Sequence, residues 1–340
     1  MAHTLLGKFQ HLIGIDLGTA RTRMWHSKQG FMIDEATCLA VDTQSRKVIA
    51  VGDEAAAMRG RVSQEIKIIE PVAQGEIAEP AYVKAFLQVL LQRVFTSFTF
   101  FRPAMMIAVP ATATLPMREL TTRLLYEVGA QEVFTISQPL AGAIGAGVPI
   151  ADASGTFIVQ MGQGIVEGAV ISLGSLVKVE KTYLAGQYWD ELIAYAIQDT
   201  QHLLISHQTA QQLKSSVVSL AEEELTDFIT GQSLKDLSPV EVQVSTSTFA
   251  PHLARLMATY HSLITQLLSQ VPPELTGDSI DKGLLLSGGL AQAKGLDEYL
   301  INKLGIPVSL VEEPEKTVIK GIATAMENID EFSKSLGYRV

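Results

Sequence analysis

Two short turns hold the residues that could do chemistry. At 159–168 the sequence VQMGQGIVEG runs an apolar strand (Phe157, Ile158, Val159) into Gly162-Gln163-Gly164 and leaves through Ala169-Val170-Ile171. Glycines at such a turn let backbone N–H groups approach an anion closely. At 16–19 Asp-Leu-Gly-Thr has the same form, but a carboxylate, Asp16, stands where the other turn has Gln160. A nucleotide hydrolase wants a carboxylate near its metal at such a position, and an amide cannot supply that charge. A third strand-to-glycine junction, LLLSGGLAQAKGL at 284–296, leads into a helix, and a helix N-terminus behind a glycine turn suits an anion or a nucleotide.

The elements that must position these turns form a repeat. Shifting HLIGIDLGTARTRMWHSKQG by 144 residues puts Asp16 on Gln160, Gly18 on Gly162, Ala20 on Gly164 and Gly30 on Gly174. Each copy reads as strand, small-residue turn, strand, glycine-containing hairpin and third strand. The third strands are FMIDEATCLAV and LVKVEKTYLA. Between the copies, residues 80–94 place Val83, Phe86, Leu87, Leu90, Leu91 and Val94 on one helical face. A second helix begins near Pro116, continues through Leu120, Leu124 and Leu125, and stops at Gly129. Next come a buried strand, VFTI, and QPLAGAIGAG, whose small residues permit close helix packing. The second half adds helices near 188–204 and 250–270, the strand GLLLSGG and a short helix. Strands alternating with helices mean an α/β fold. Residues 215–250 are polar and predict only a small peripheral subdomain.

Composition narrows the function. The 340 residues are 47% hydrophobic and 18% charged, enough for two well-packed domains. A net charge of −10 and the absence of a basic run argue against a nucleic-acid partner. The single cysteine, Cys38, excludes an internal disulfide and a Cys/His metal cluster, and its apolar setting predicts a buried, inert thiol. No apolar stretch is long enough to span a membrane, and the N-terminus lacks a secretory core. A cytoplasmic protein is expected.

The motifs IGIDLGTARTR, VIAVGDEAAAMRGR, IIEPVAQGEIAE, IAVPATAT, ISQPLAGAIGAGVPI, SGTFIVQMGQGIVEGAVISLGSLV, QTAQQLK, GLLLSGGLAQAKGLDEYL and GIPVSLVEEP follow one another nearly end to end. In this order they resemble the MreB family of bacterial actins, within the actin, sugar-kinase and heat-shock-chaperone ATPase superfamily. The resemblance implies duplicated, ribonuclease H-like α/β domains flanking a nucleotide cleft, and polymerisation into filaments. It implies a first domain of 1–140 plus 315–340, with a peripheral part about 33–72, and a second of 141–314, with a peripheral part about 182–248.

Carried over residue by residue, Gly18, Thr19, Ala20 and Arg21 form the first phosphate loop and Gly162, Gln163 and Gly164 the second. Gly288, Gly289 and Leu290 resemble the adenosine-phosphate segment, and Asp16 would reach Mg²⁺ through water. Lys214 matches a lysine at the ribose and adenine edge, with Gln211 one helical turn before it in place of a glutamate. The ligand implied is ATP or ADP. Departures concentrate at the chemistry. The second turn of the family begins with aspartate and ends with an acid, here Gln160 and Glu167, and its hydroxyl pair has become Ile165 and Val166. An acidic pair before a helix is Ser137-Gln138. Gln138 could still orient water, but the lost charges predict weakened ATP hydrolysis. Arg21 could meet phosphate or point to solvent.

VFTSFTFFRP at 94–103 places Phe95, Phe98, Phe100 and Phe101 between Arg93 and Arg102, a pattern suited to an anionic bilayer surface. Phe100 and Phe101 could instead be core residues, while Phe95 and Phe98 are expected to be exposed. Leu5, Leu6 and Phe9 of the N-terminal MAHTLLGKFQ could add weak lipid contacts, multiplied by filament avidity. The partners expected are the chain itself, the inner face of the cell membrane, and another bacterial actin or a cell-wall or shape complex. A non-polymerising adaptor of this fold and a small-metabolite kinase stay open as alternatives.

Overall fold

The computed structural model describes residues 11–95 and 102–329. It divides the chain into two units, Met1–Asp152 with Ser172–Leu176 and Lys316–Val340, and Ala153–Ile171 with Val177–Glu315.

In the first unit, β1 (Leu12–Leu17), β2 (Arg21–His26) and β3 (Gly30–Ala36) form an antiparallel meander. The predicted third strand breaks after Ala36. β4 (Leu39–Asp42) starts a separate three-stranded sheet with β5 (Val48–Val51) and β6 (Ile66–Ile69), and α1 (Asp53–Ala57) follows β5. Cys38 lies buried at the break, and burial raises its thiol pKa, as expected of an inert cysteine. β7 (Val72–Ala73) and β8 (Glu76–Ile77) make a small hairpin. α2 (Pro80–Val94) buries all six residues picked out by their periodicity, and proline suits its first turn. β9 (Ala104–Val109) is buried throughout, as a parallel strand covered on both faces must be. α3 (Leu115–Glu127) ends just before Gly129, whose φ of 112° favours glycine. β10 (Glu132–Ser137) and α4 (Gln138–Gly145) follow, giving the sheet order β10-β9-β1-β2-β3.

The second unit repeats this plan. β11 (Thr156–Met161) corresponds residue for residue to β1 under the shift of 144. With β12 (Val166–Ser172) and β13 (Ser175–Thr182) it forms the second meander. Next come α5 (Gly186–Gln201), β14 (Leu203–Leu204) and α6 (His207–Ser216). β14 pairs with a hairpin of β15 (Thr226–Ser233) and β16 (Pro239–Ser245), which occupies most of the stretch left unread in the sequence. α7 (Thr246–Ser269) starts with a Ser245/Thr248 capping box and buries Phe249, Leu253, Leu256, Tyr260, Leu263 and Leu267. α8 (Pro273–Lys282), β17 (Leu284–Ser287), α9 (Leu296–Leu304) and β18 (Val308–Leu310) complete the unit, with sheet order β13-β12-β11-β17-β18. The two sheets have one topology.

The last helix, α10 (Thr317–Glu327), belongs to the first unit and packs against α4. The crossing is glycine on both sides: a Cβ on Gly145 would lie 1.8 Å from Thr317 O, and one on Gly321 1.8 Å from Ala141 O. This packing draws residues 141–152, expected in the second domain, into the first unit.

Candidate functional site

The two glycine turns close with the same hydrogen bond. Gly18 N donates to Arg21 O at 3.1 Å, and Gly162 N to Ile165 O at 2.9 Å. A Cβ would meet those carbonyl oxygens at 2.7 Å on Gly18 and 3.0 Å on Gly162. The chain's own backbone therefore excludes a side chain at Gly18 and leaves only a tight fit for one at Gly162. In the second unit Gly288, at φ 91°, lies so close to Met161 that a Cβ would sit 2.3 Å from Met161 O. Gly289 differs, since the nearest atom to its Cβ position is 3.9 Å away. Leu290 buries its side chain in the core, so only its backbone can face a ligand.

In the first unit Ala20 is exposed and Thr19 half-buried. Thr19 Oγ1 accepts from Gly75 N at 3.1 Å, in the turn between β7 and β8 where Gln74 and Gly75 both have positive φ. Gln74-Gly75 lies within the motif IIEPVAQGEIAE. Asp16 is buried, and burial pushes its carboxyl up to about 6, Arg23 opposing the rise and Asp34 adding to it.

Arg21 is tied to two carboxylates. Its Nε donates to Asp34 Oδ1 at 2.5 Å and its Nη1 to Asp53 Oδ1 at 3.1 Å. Arg23, which the sequence reading passed over, reaches Asp34 Oδ2 at 3.2 Å and Asp16 Oδ2 at 3.8 Å. The result is a chain of alternating charges, Asp53–Arg21–Asp34–Arg23–Asp16, running from exposed to buried.

Ser137 and Gln138, at the start of α4, are buried, and so is Gln160 at the corresponding end of β11. Two buried side-chain atoms at positions singled out by the sequence, Ser137 Oγ and Gln160 Oε1, lack a hydrogen-bond partner.

In the second unit the turn is tied to α5. Gly186 N donates to Gly162 O at 3.1 Å and Gln187 N to Gln163 O at 2.8 Å. The Gln163 side chain, expected at the ligand, donates to the buried Asp190 Oδ2 at 2.7 Å. Lys214 also turns inward. Its Nζ is 2.7 Å from Asp190 Oδ1 and donates to Gly186 O at 3.1 Å. It stands as the counter-ion of Asp190 and keeps 18% side-chain exposure, and Gln211, one turn away, is exposed. Asp190 escaped the sequence reading because a single carboxylate on a helix carries no motif.

Phe95 is not exposed as expected. It packs edge-on against His11 and His26, at 6.0 and 6.2 Å between ring centres, with its apolar body on the core of the first unit. Phe98, Phe100, Phe101, Leu5, Leu6 and Phe9 lie outside the described residues. No helix among the described residues is long and apolar enough to cross a membrane.

A divalent cation held by the protein itself does not fit these residues. Mg²⁺ is bound through one or two carboxylates plus water and substrate phosphates. Asp16 already has Arg23 beside it, and the described residues contain no cluster of three or more His, Cys, Asp or Glu able to hold a metal.

The family model described as MreB/Mbl protein matches residues 10–334. The cell shape-determining protein Mbl of Bacillus subtilis (strain 168) is 32% identical over 330 residues, covering 96% of this chain and 98% of Mbl. The cell shape-determining protein MreB of Escherichia coli (strain K12) is 32% identical over 332 residues, 95% of each chain. Among solved structures, MreB 5 of Spiroplasma citri bound to AMPPNP has a TM-score of 0.92 at 26% identity, covering 96% of this chain and 98% of that one. A chain of the MamK double helical filament shares the fold at a TM-score of 0.80 and 22% identity, over 94% of this chain and 99% of its own.

Proposed function

The chain belongs to the MreB/Mbl family and has an actin-like fold, and on that premise we propose that it binds adenine nucleotide and assembles into filaments at the inner face of the cell membrane, with weakened ATP hydrolysis. The observation that carries nucleotide binding is the duplicated glycine turn, closed in each unit by the same backbone hydrogen bond, with the buried Gln160 Oε1 unpartnered beside the second. A buried polar atom without a partner costs about 1–3 kcal/mol, which a ligand or its water at that turn would relieve. The Spiroplasma relative was crystallised with AMPPNP and with ADP, which supports the same ligand class here. Mg²⁺ would arrive on the nucleotide's phosphates. Filament assembly is supported by the likeness to cell shape-determining proteins and a filament-forming fold.

Weak hydrolysis rests on charge. Gln160 and Gln138 are buried and neutral where the family pattern has acids, and phosphoryl transfer depends on positioned charge. Purified protein with Mg-ATP and anionic liposomes is expected to pellet while releasing little phosphate. The double variant Gln160→Asp/Gln138→Glu should raise phosphate release by about tenfold or more. Unchanged release with nucleotide bound would assign the slow step elsewhere. Polymer that pellets and disperses on dilution separates a filament from a non-polymerising adaptor.

For the membrane, the aromatic run after α2 is the assigned contact. Phe98→Ser should abolish liposome co-sedimentation with the melting temperature unchanged. Phe95→Ser should lower the melting temperature, because that ring packs on His11 and His26. Undiminished lipid binding by Phe98→Ser would remove the run from the interface.

A further inference from the structure

We propose that Arg23 serves as the counter-charge of Asp16 in place of a divalent cation, so that this chain takes up adenine nucleotide with little dependence on Mg²⁺. The inference rests on the nucleotide-binding reading above and adds the residue that replaces the metal.

Asp16 and Arg23 are direct partners across the β1–β2 pair, so their side chains share one face of the sheet. The equivalent pair in the second copy is Gln160 and Glu167. At the place where the second copy carries an acid, the first carries a guanidinium, and where the first carries an acid, the second is neutral. Arg23 is held from two sides, by Asp16 Oδ2 at 3.8 Å and Asp34 Oδ2 at 3.2 Å, with its side chain only 12% exposed. Arg21 takes the other Asp34 oxygen and spans to Asp53, which fixes Asp34 and through it the Arg23 fork.

This arrangement answers an electrostatic problem at the first turn. The Asp16 carboxylate is nearly buried and stands two residues before Gly18, so a polyphosphate docking on that turn meets a negative charge that water screens poorly. A divalent ion between the two would relieve the repulsion. The Arg23 guanidinium, shared between Asp16 and Asp34, is a cation already in place beside that carboxylate and cannot be removed by a chelator.

The test is equilibrium binding of a fluorescent ATP analogue with excess Mg²⁺ and with excess EDTA. For the wild-type chain the two dissociation constants should agree within about threefold, whereas Arg23→Leu should bind at least about tenfold more weakly in EDTA than in Mg²⁺. Arg23→Lys, which keeps the charge, should stay close to wild type. A wild-type affinity that falls tenfold or more in EDTA overturns the proposal without any variant, and so does an Arg23→Leu protein as tolerant of EDTA as its parent. Absence of binding in both conditions overturns the nucleotide reading itself and is distinct from either.

Discussion

Alanine at position 321 is expected to cost the first unit about 3 kcal/mol or more of stability, enough to drop its melting temperature by many degrees. The added methyl would sit 1.8 Å from Ala141 O and 2.6 Å from Ala141 C, both backbone atoms of α4. A side chain can swing away from such a clash, but a helix backbone cannot. α10 would therefore have to lift from α4, exposing the row of Val318, Ile319, Ile322 and Met326 that it buries. Gly145→Ala meets the mirror problem at Thr317 O and should behave alike. The matched control is Gly277→Ala in α8, where nothing lies within 4 Å of the new atom. Alanine there should be neutral or stabilising by up to about 1 kcal/mol, from helix propensity alone. Thermal and urea unfolding of the three variants checks the pattern, and a Gly321→Ala protein as stable as wild type would mean that the helices do not cross at these glycines.

Removing the Asp190 carboxylate should be nearly as damaging. The side chain is fully buried and serves the Gln163 amide at 2.7 Å and the Lys214 ammonium at 2.7 Å. Breaking a buried pair from one side strands the other charge, at a cost of about 3–5 kcal/mol. Lys214 keeps 18% exposure, which lets water relieve part of that cost, so about 3 kcal/mol is expected for Asp190→Ala. Lys214→Met should destabilise too, because it leaves the carboxylate buried without its cation. The double variant Asp190→Ala/Lys214→Met should lose less than the sum of the two single losses, since neither charge is then stranded. Urea unfolding of the four proteins as a double-mutant cycle measures the coupling. Additive losses would show that the two groups do not depend on each other.

These two effects differ in how far the sequence announces them. The small residues of QPLAGAIGAG advertise a close helix contact, yet they do not say which helix answers, because Gly321 lies more than 170 positions away. α2 was legible to the residue, since six apolar positions at helical spacing admit one buried face. The end of β3 was not: ATCLAV continues a strand pattern, and only pairing with β5 and β6 tells Leu39 to start another sheet. The β15–β16 hairpin hid for a different reason. Its strands are largely exposed and polar, and its turn uses Leu237 at φ 60° where glycine or asparagine would have signalled it.

At the candidate site the backbone was easier to foresee than the side chains. The glycine turns stand where the repeat put them, whereas Arg21, Gln163 and Lys214 all spend their hydrogen bonds on the protein. Arg23 could have been found. Counting outward from the first turn pairs Leu17 with Thr22 and Asp16 with Arg23, so the charge pair was written in the hairpin register.

The glycines also separate two kinds of evolutionary constraint. Gly18, Gly162 and Gly288 each face a backbone atom of their own unit at 3.0 Å or less once a Cβ is added. A lineage that lost its nucleotide would still need Gly18 and Gly288 for its own packing, with little room to spare at Gly162. Gly289 faces open space, with nothing nearer than Glu315 Cβ at 3.9 Å. Drift at position 289 alone, with the other three intact, would therefore be the mark of a descendant that had given up its ligand and kept its shape.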